Sequence, residues 1–226
     1  MSKIRGFDYG PRFERANIPV KHRGKGLDDF TPTGPPPGHH TGRAALKAAR
    51  EFVENFRDYY VSPERSVESY PEDRERIGRG LLFCGLNGTR KTTLSAAIAT
   101  EILWKADIRV FMIRFSDYKD ALTTTFESTD SERKEKAKAI VARARGCSLL
   151  VLDDVGQEHI TKSGFTEKEL HELIRIRHSK GRPTIVTTNV EEEDMLGKYG
   201  PSFDSFRKEA FTTHIMLGPD SRRNKY

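Results

Sequence analysis

The chain is poor in cysteine and tryptophan, with two and one in 226 residues. Cys84 and Cys147 each sit beside an apolar run and do not make a metal motif. That excludes a disulfide-stapled scaffold and fits a reducing, intracellular setting. No uncharged apolar stretch reaches the length of a membrane span, and the N-terminus lacks the pattern of a secretory signal, so the reading is a soluble, cytoplasmic protein with no membrane. There is no internal repeat. Acidic excess is also absent: 39 Lys and Arg face 33 Asp and Glu, a formal charge of +6. That balance favours an anionic partner, nucleic acid before others. With 35% hydrophobic and 32% charged residues the composition is lean but globular. The length fits one large domain, or one domain with an extension.

Residues 1–42 are rich in Gly, Pro, Lys and Arg and show no sustained helical or strand period. They read as a basic, irregular N-terminal arm. Gly34-Pro35-Pro36-Pro37-Gly38-His39-His40 must be a loop or stiff linker. His39 and His40 have no Cys or acidic partner spaced for a metal. Two partly apolar stretches, Ala16–Arg23 and Leu27–Phe30, are expected to pack against the core. From residue 43 the pattern changes. Leu46, Ala49, Val53, Phe56 and Tyr60 recur at helical steps over 43–60, and 61–79 read as a polar connection. Short apolar strands then alternate with helices. The strands are 81–84, 108–113, 148–152, 184–188 and 214–217; the helices are 91–104, 116–126, 131–145 and 166–179. Such alternation implies an α/β fold, a parallel sheet with helices on both faces.

In a parallel sheet, ligands bind beyond the carboxyl ends of the strands, and the chemistry-bearing residues fall there. Gly85-Leu86-Asn87-Gly88-Thr89-Arg90-Lys91-Thr92-Thr93 follows the first strand and opens a helix. This is the layout of a phosphate-binding P-loop: backbone N–H groups and a helix N-terminus face the phosphates, Lys adds charge, and a hydroxyl reaches Mg²⁺. The departure is Arg90, which stands where the motif G-x-x-x-x-G-K-[ST] has its second Gly. Asp153 and Asp154 end the strand Leu149–Leu152 in a Walker B pattern. There the first acid serves Mg²⁺ and the second the attacking water. Thr187-Thr188-Asn189 ends another strand, where a polar side chain would hold that water. Each piece alone also fits a capped turn or an ordinary strand exit. Their order, each after an apolar strand, makes a site for ATP and Mg²⁺.

Together these motifs resemble the AAA+ core of the DnaC/DnaI-type helicase loaders and the related IstB-type transposition ATPases. The supporting residues are Ile18-Pro19, Leu27-Asp28-Asp29-Phe30, Gly85 with Lys91-Thr92, Leu152-Asp153-Asp154-Val155-Gly156, Arg182 to Asn189, Tyr199-Gly200 and Asp220-Ser221-Arg222-Arg223. The resemblance spans about residues 16–226 and implies an arm over 1–42 followed by an AAA+ domain over 43–226. It implies that Lys91 contacts the β- and γ-phosphates, that Thr92 and Asp153 serve the metal, that Asp154 is the base and that Asn189 is the sensor. Arg207 is implied as an arginine finger reaching a neighbouring subunit. Arg223, or alternatively Arg222, is implied as a second sensor. ATP would then lie between subunits of a homo-oligomer. The implied function is ATP-dependent loading or remodelling of a replicative helicase on single-stranded DNA. A transposition-helper ATPase acting with a transposase, and a nucleotide-dependent adaptor with little hydrolysis, remain as alternatives. Loaders usually carry a further N-terminal domain that grips the helicase; about 15 residues precede the matching part here, too few for one.

Arg90 bears on turnover. At this position an L residue with positive φ costs about 1–2 kcal/mol, which its charge would partly offset by meeting a phosphate. Three outcomes stay open: weak hydrolysis, binding without appreciable hydrolysis, or failure to bind. Two features bear on DNA. The stretch Arg133-Lys134-Glu135-Lys136-Ala137-Lys138 to Arg145 is basic and helical, suited either to tracking a phosphate backbone or to a balanced solvated face. Phe115, Tyr118 and Phe126 are candidates for base stacking, with core packing expected for at least two.

Overall fold

A computed structural model describes residues 8–32, 34–62, 74–105, 108–156 and 165–221. Five strands build one sheet: β1 (Gly80–Cys84), β2 (Val110–Arg114), β3 (Leu149–Val155), β4 (Thr184–Thr188) and β5 (Phe211–Ile215). Their order is β2-β3-β4-β1-β5, and every pairing is parallel. Around it lie α1 (Gly10–Arg15), α2 (Gly38–Glu54), α3 (Phe56–Tyr59), α4 (Lys91–Lys105), α5 (Phe115–Glu127), α6 (Ser131–Gly146), α7 (Phe165–Ser179) and α8 (Met195–Ala210).

The strands are apolar on both faces because each face has a cover. Leu81, Phe83, Val110, Met112, Leu149, Val151 and Ile185 pack with α2, α4 and the arm. Their strand neighbours Leu82, Cys84, Phe111, Ile113, Leu150, Leu152 and Val186 pack with α5 to α8. This is the two-residue alternation of a strand, with both phases buried. Helix α4 lies between the sheet and the arm, so its alanines as well as Leu94, Ile98 and Ile102 are buried.

The arm is more structured than its composition suggests. It carries α1 and two single turns of 3₁₀-helix, Val20–His22 and Leu27–Asp29. Tyr9, Phe13, Ala16, Ile18, Leu27 and Phe30 join the core. The Met112 N–H donates to the Ala16 carbonyl at 2.9 Å, and Asn17 Nδ2 donates to the Met112 carbonyl at 2.8 Å. These bonds cover the exposed side of β2, an edge strand. Asn17 makes the turn with φ 56°, a left-handed value that Asn tolerates.

Three elements depart from the sequence expectation. Helix α2 begins five residues early and takes in Gly38, His39 and His40, which were expected in a loop, because its first turn is polar and precedes the apolar face. Helix α8 was not expected, since Gly197, Gly200 and Pro201 interrupt any helical pattern. It is two helical pieces joined at Gly200 (φ 79°, ψ 167°), with Pro201 at the start of the second, where no N–H is needed. Strand β5 lies three residues upstream of the apolar run 214–217, in register Gly80↔Phe211 to Cys84↔Ile215. Edge position explains this: a strand with one paired neighbour needs less apolar sequence.

Arg177 joins three elements at the amino ends of the strands. It is fully buried. Its Nε donates to Thr184 Oγ1 at 2.9 Å, and its Nη atoms donate to the carbonyls of Ala144, Cys147 and Pro183, each at 2.8 Å. A buried guanidinium is tolerated only when its donors are satisfied in this way.

Candidate functional site

The carboxyl ends of β1, β3 and β4 open onto a cleft of about 780 Å³, which the arm residues 17–23 close from one side. Its floor is the loop 85–90. Gly85 (φ 140°), Gly88 (φ 80°) and Arg90 (φ 68°) all take left-handed values, which turn the backbone away from the strand into α4. A Cβ on Gly88 would collide with the Asp220 side chain. The loop is held from its other side, where the N–H and Oγ of Ser221 both donate to the Gly88 carbonyl, at 3.2 and 2.8 Å.

Arg90 adopts the positive φ expected for a missing glycine. Its guanidinium does not turn toward the phosphate loop as expected. It donates to the Thr31 carbonyl of the arm at 3.0 Å. Arg90 thus straps the arm to the loop, and this bond helps to offset the backbone strain.

Lys91 is buried at the centre. Its Nζ donates to the carbonyls of Gly85 (2.5 Å) and Leu86 (2.8 Å) and to Asn189 Oδ1 (2.8 Å). Thr92 Oγ1 donates to the Asp153 carboxylate at 2.9 Å. Asn87, Thr93, Asp154 and Asn189 also line the cleft, while Thr89 is buried beneath it and donates to the Leu86 carbonyl at 3.0 Å.

Both acids face one cleft although they are consecutive on a strand, where neighbours point to opposite faces. Pairing of β3 with β4 runs Leu152↔Val186 and then Val155↔Thr188, one extra residue on β3. Asp154 absorbs it with φ 56°. This bulge re-aims the two side chains. Thr187, missed as a site residue, secures it. Its hydroxyl donates to Asp153 Oδ1 at 2.6 Å and accepts from the Asp154 N–H at 3.0 Å. Its place in Thr187-Thr188-Asn189 was visible in the sequence, but its inward direction was not. Burial raises the Asp153 carboxyl above its ordinary pKa, against the hydrogen bonds from Thr187 and Thr92 that lower it.

The residues fit a magnesium–nucleotide. Thr92 and Asp153 supply the hard oxygen ligands that Mg²⁺ takes alongside phosphate. Asn189 Nδ2 is buried without a partner among the described residues. His22 closes the arm side of the cleft, and its Nε2 also lacks one. Burial, with Lys21 and Lys25 beside it, pulls the His22 pKa down to about 4.

Other expected positions behave differently. Arg207 was expected to reach a neighbouring subunit. It is buried in its own chain, with Nε bonded to Asp204 at 2.7 Å and Nη1 to Glu192 at 2.8 Å. In this conformation it ties α8 to the loop after Asn189. Arg222 and Arg223 lie outside the described residues. Phe115 and Tyr118 are buried in the core, and Phe126 is 73% exposed. On α6, Lys136 and Lys138 pair with Glu132 and Glu135 at 2.6 and 2.7 Å, so part of that face is balanced. Cys84 and Cys147 are buried free thiols; burial pushes Cys84 up to about 12. Among the described residues no helix is long and apolar enough to cross a membrane.

The fold recurs in solved structures. The DnaC helicase loader superposes with a TM-score of 0.65 at 22% identity, covering 88% of this chain and 100% of that one. DnaI gives 0.61 at 17% identity, with 88% and 95% covered. The chain has an AAA+ fold. A replication initiator, DnaA, bound to AMPPCP and single-stranded DNA, shares this AAA+ fold with a TM-score of 0.62 at 17% identity; the match covers 89% of this chain and 51% of that one. No family model and no curated protein sequence matches the chain.

Proposed function

We propose that the protein is a magnesium-dependent ATPase of DNA replication that loads or remodels a replicative helicase on single-stranded DNA. One observation carries the nucleotide reading: Lys91, Asp153 and Asn189, from three strand ends, already contact one another or Thr92 around one cleft. Structural likeness to a helicase loader and to an initiator bound to AMPPCP and single-stranded DNA supports the replication reading.

In this reading Lys91 exchanges the loop carbonyls for the β- and γ-phosphates. Thr92 and Asp153 hold Mg²⁺, which when bound neutralises developing charge on the phosphoryl oxygens. Asp154 accepts the proton of the attacking water, and Asn189 Nδ2 orients that water. Arg207 serves a neighbouring subunit only after both of its ion pairs open, so assembly and turnover are coupled. Loss of an arginine finger costs about 10³–10⁵ in rate in well-studied cases, so an isolated subunit turns over slowly.

The test is ATP binding and phosphate release by the wild type, Lys91→Ala and Arg90→Gly proteins, with and without single-stranded DNA. The wild type binds ATP and Lys91→Ala binds it far more weakly. Turnover rises in Arg90→Gly if the arm strap attenuates the site. Failure of every version to bind nucleotide defeats the proposal.

A further inference from the structure

At the other end of the strands, beside the amino ends of β2 and β3, lies a second cavity of about 430 Å³. Arg12 and Arg15 of α1, Arg109 before β2 and Arg143 of α6 surround it, over apolar walls that include Leu103 and Val110. No carboxylate is among its described lining residues. Arg143 lies over the Phe111 ring, its guanidinium carbon 4.3 Å from the centroid, which fixes its plane without neutralising its charge. Among the described residues Arg15 bonds only the Pro11 carbonyl, at 3.4 Å, and Arg109 only the Gly146 carbonyl, at 3.5 Å. Arg15, Arg109 and Arg143 bring like charges together around one hollow, and among the described residues no carboxylate pairs with any of the three. Burial lowers the Arg143 pKa, the sign of a cation that has lost water without gaining an acid.

We propose that this hollow binds phosphate groups of a nucleic-acid single strand. Guanidinium forks match phosphate oxygens two at a time. The apolar walls suit a sugar or base face, which inorganic phosphate does not offer. A concave site excludes the backbone of a rigid duplex and admits a flexible strand that bends into it. The cavity shares no lining residue with the nucleotide cleft, so strand and ATP bind together. The proposal rests on the reading of the protein as one that handles single-stranded DNA.

The experiment is fluorescence anisotropy of a labelled oligothymidylate between roughly 50 and 200 mM salt. It compares the wild type with Arg15→Gln/Arg109→Gln and with Arg143→Gln, and binding of a non-hydrolysable ATP analogue reports folding. Both variants bind the strand more weakly and keep the analogue. In the double variant the salt slope falls by about 1.4, roughly 0.7 for each lost phosphate contact. Wild-type strand binding that both variants retain overturns this site and leaves the proposed function standing. A wild type that binds the analogue but no oligonucleotide overturns both. Equal competition by duplex, or full competition by a mononucleotide at matched phosphate, overturns the single-strand reading.

Discussion

The two ends of the sheet treat charge in opposite ways. At the carboxyl end the central charges have answers: Lys91 meets carbonyls and Asn189, Asp153 meets Thr92 and Thr187, and Arg90 meets the arm. That end is folded ready for exchange, with protein groups occupying the bonds a ligand would take. At the amino end Arg177 is answered in full, by carbonyls and a hydroxyl. Arg15, Arg109 and Arg143 have no ion pair among the described residues. The difference is between charge bound within the chain and charge that the described fold leaves without a carboxylate.

The largest effect should follow removal of the answered arginine. Arg177→Met leaves several buried carbonyls without donors and should cost about 3–5 kcal/mol in denaturant melts. The unanswered arginines, changed to Gln, should leave the midpoint nearly unmoved. Equal losses would erase the contrast. Next, Lys91→Ala removes the central donor of the carboxyl end. Charge-assisted hydrogen bonds are worth about 1.5–3 kcal/mol, so ATP affinity should fall roughly 10- to 100-fold or more by calorimetry. The single-strand affinity of the amino end should persist.

Arg90→Gly should relieve about 1–2 kcal/mol of backbone strain while losing one hydrogen bond to the arm. A net change in stability under about 1 kcal/mol is therefore expected. The sharper readout is faster amide exchange around Thr31. Unchanged exchange there would remove the strap from the comparison.

Asp153 and His22 give the smallest effects, read through pH. The Asp153 pKa is raised, so the fold prefers the protonated acid, and stability is lost as pH rises above the ordinary carboxylate range. Asp153→Asn should then raise the nucleotide-free melting temperature at neutral pH by a few degrees, since roughly 1 kcal/mol moves a domain of this size by about 2–4 °C. It should also weaken Mg²⁺-dependent ATP binding. His22 has the opposite sign. Its pKa falls from 6.5 to about 4, so stability is complete above 6.5 and declines as pH falls toward 4. His22→Gln should flatten that decline.

Much of this was legible in the residues. Alternating apolar runs located β1, β3 and β4 closely, because buried strands leave unbroken hydrophobic signatures. The loop and the acids were legible because phosphate and metal chemistry restricts residue types. Helix α8 was hidden, since Gly200 and Pro201 belong to a kink that contacts from α7 and β5 sustain. The arm read as irregular because its order comes from hydrogen bonds to Met112 rather than from local period.

Sequence alone determined the parallel α/β class, the loop at Gly85–Thr92 and the pair Asp153-Asp154. Each depends on local pattern or on residue chemistry. Tertiary structure decided where Arg90 points, how a bulge brings both acids into one cleft, and that Arg207 is bound within its own chain. It also gathered Arg12, Arg15, Arg109 and Arg143 around one hollow. These are matters of side-chain direction and of segments far apart in the chain, which only the packed sheet brings together.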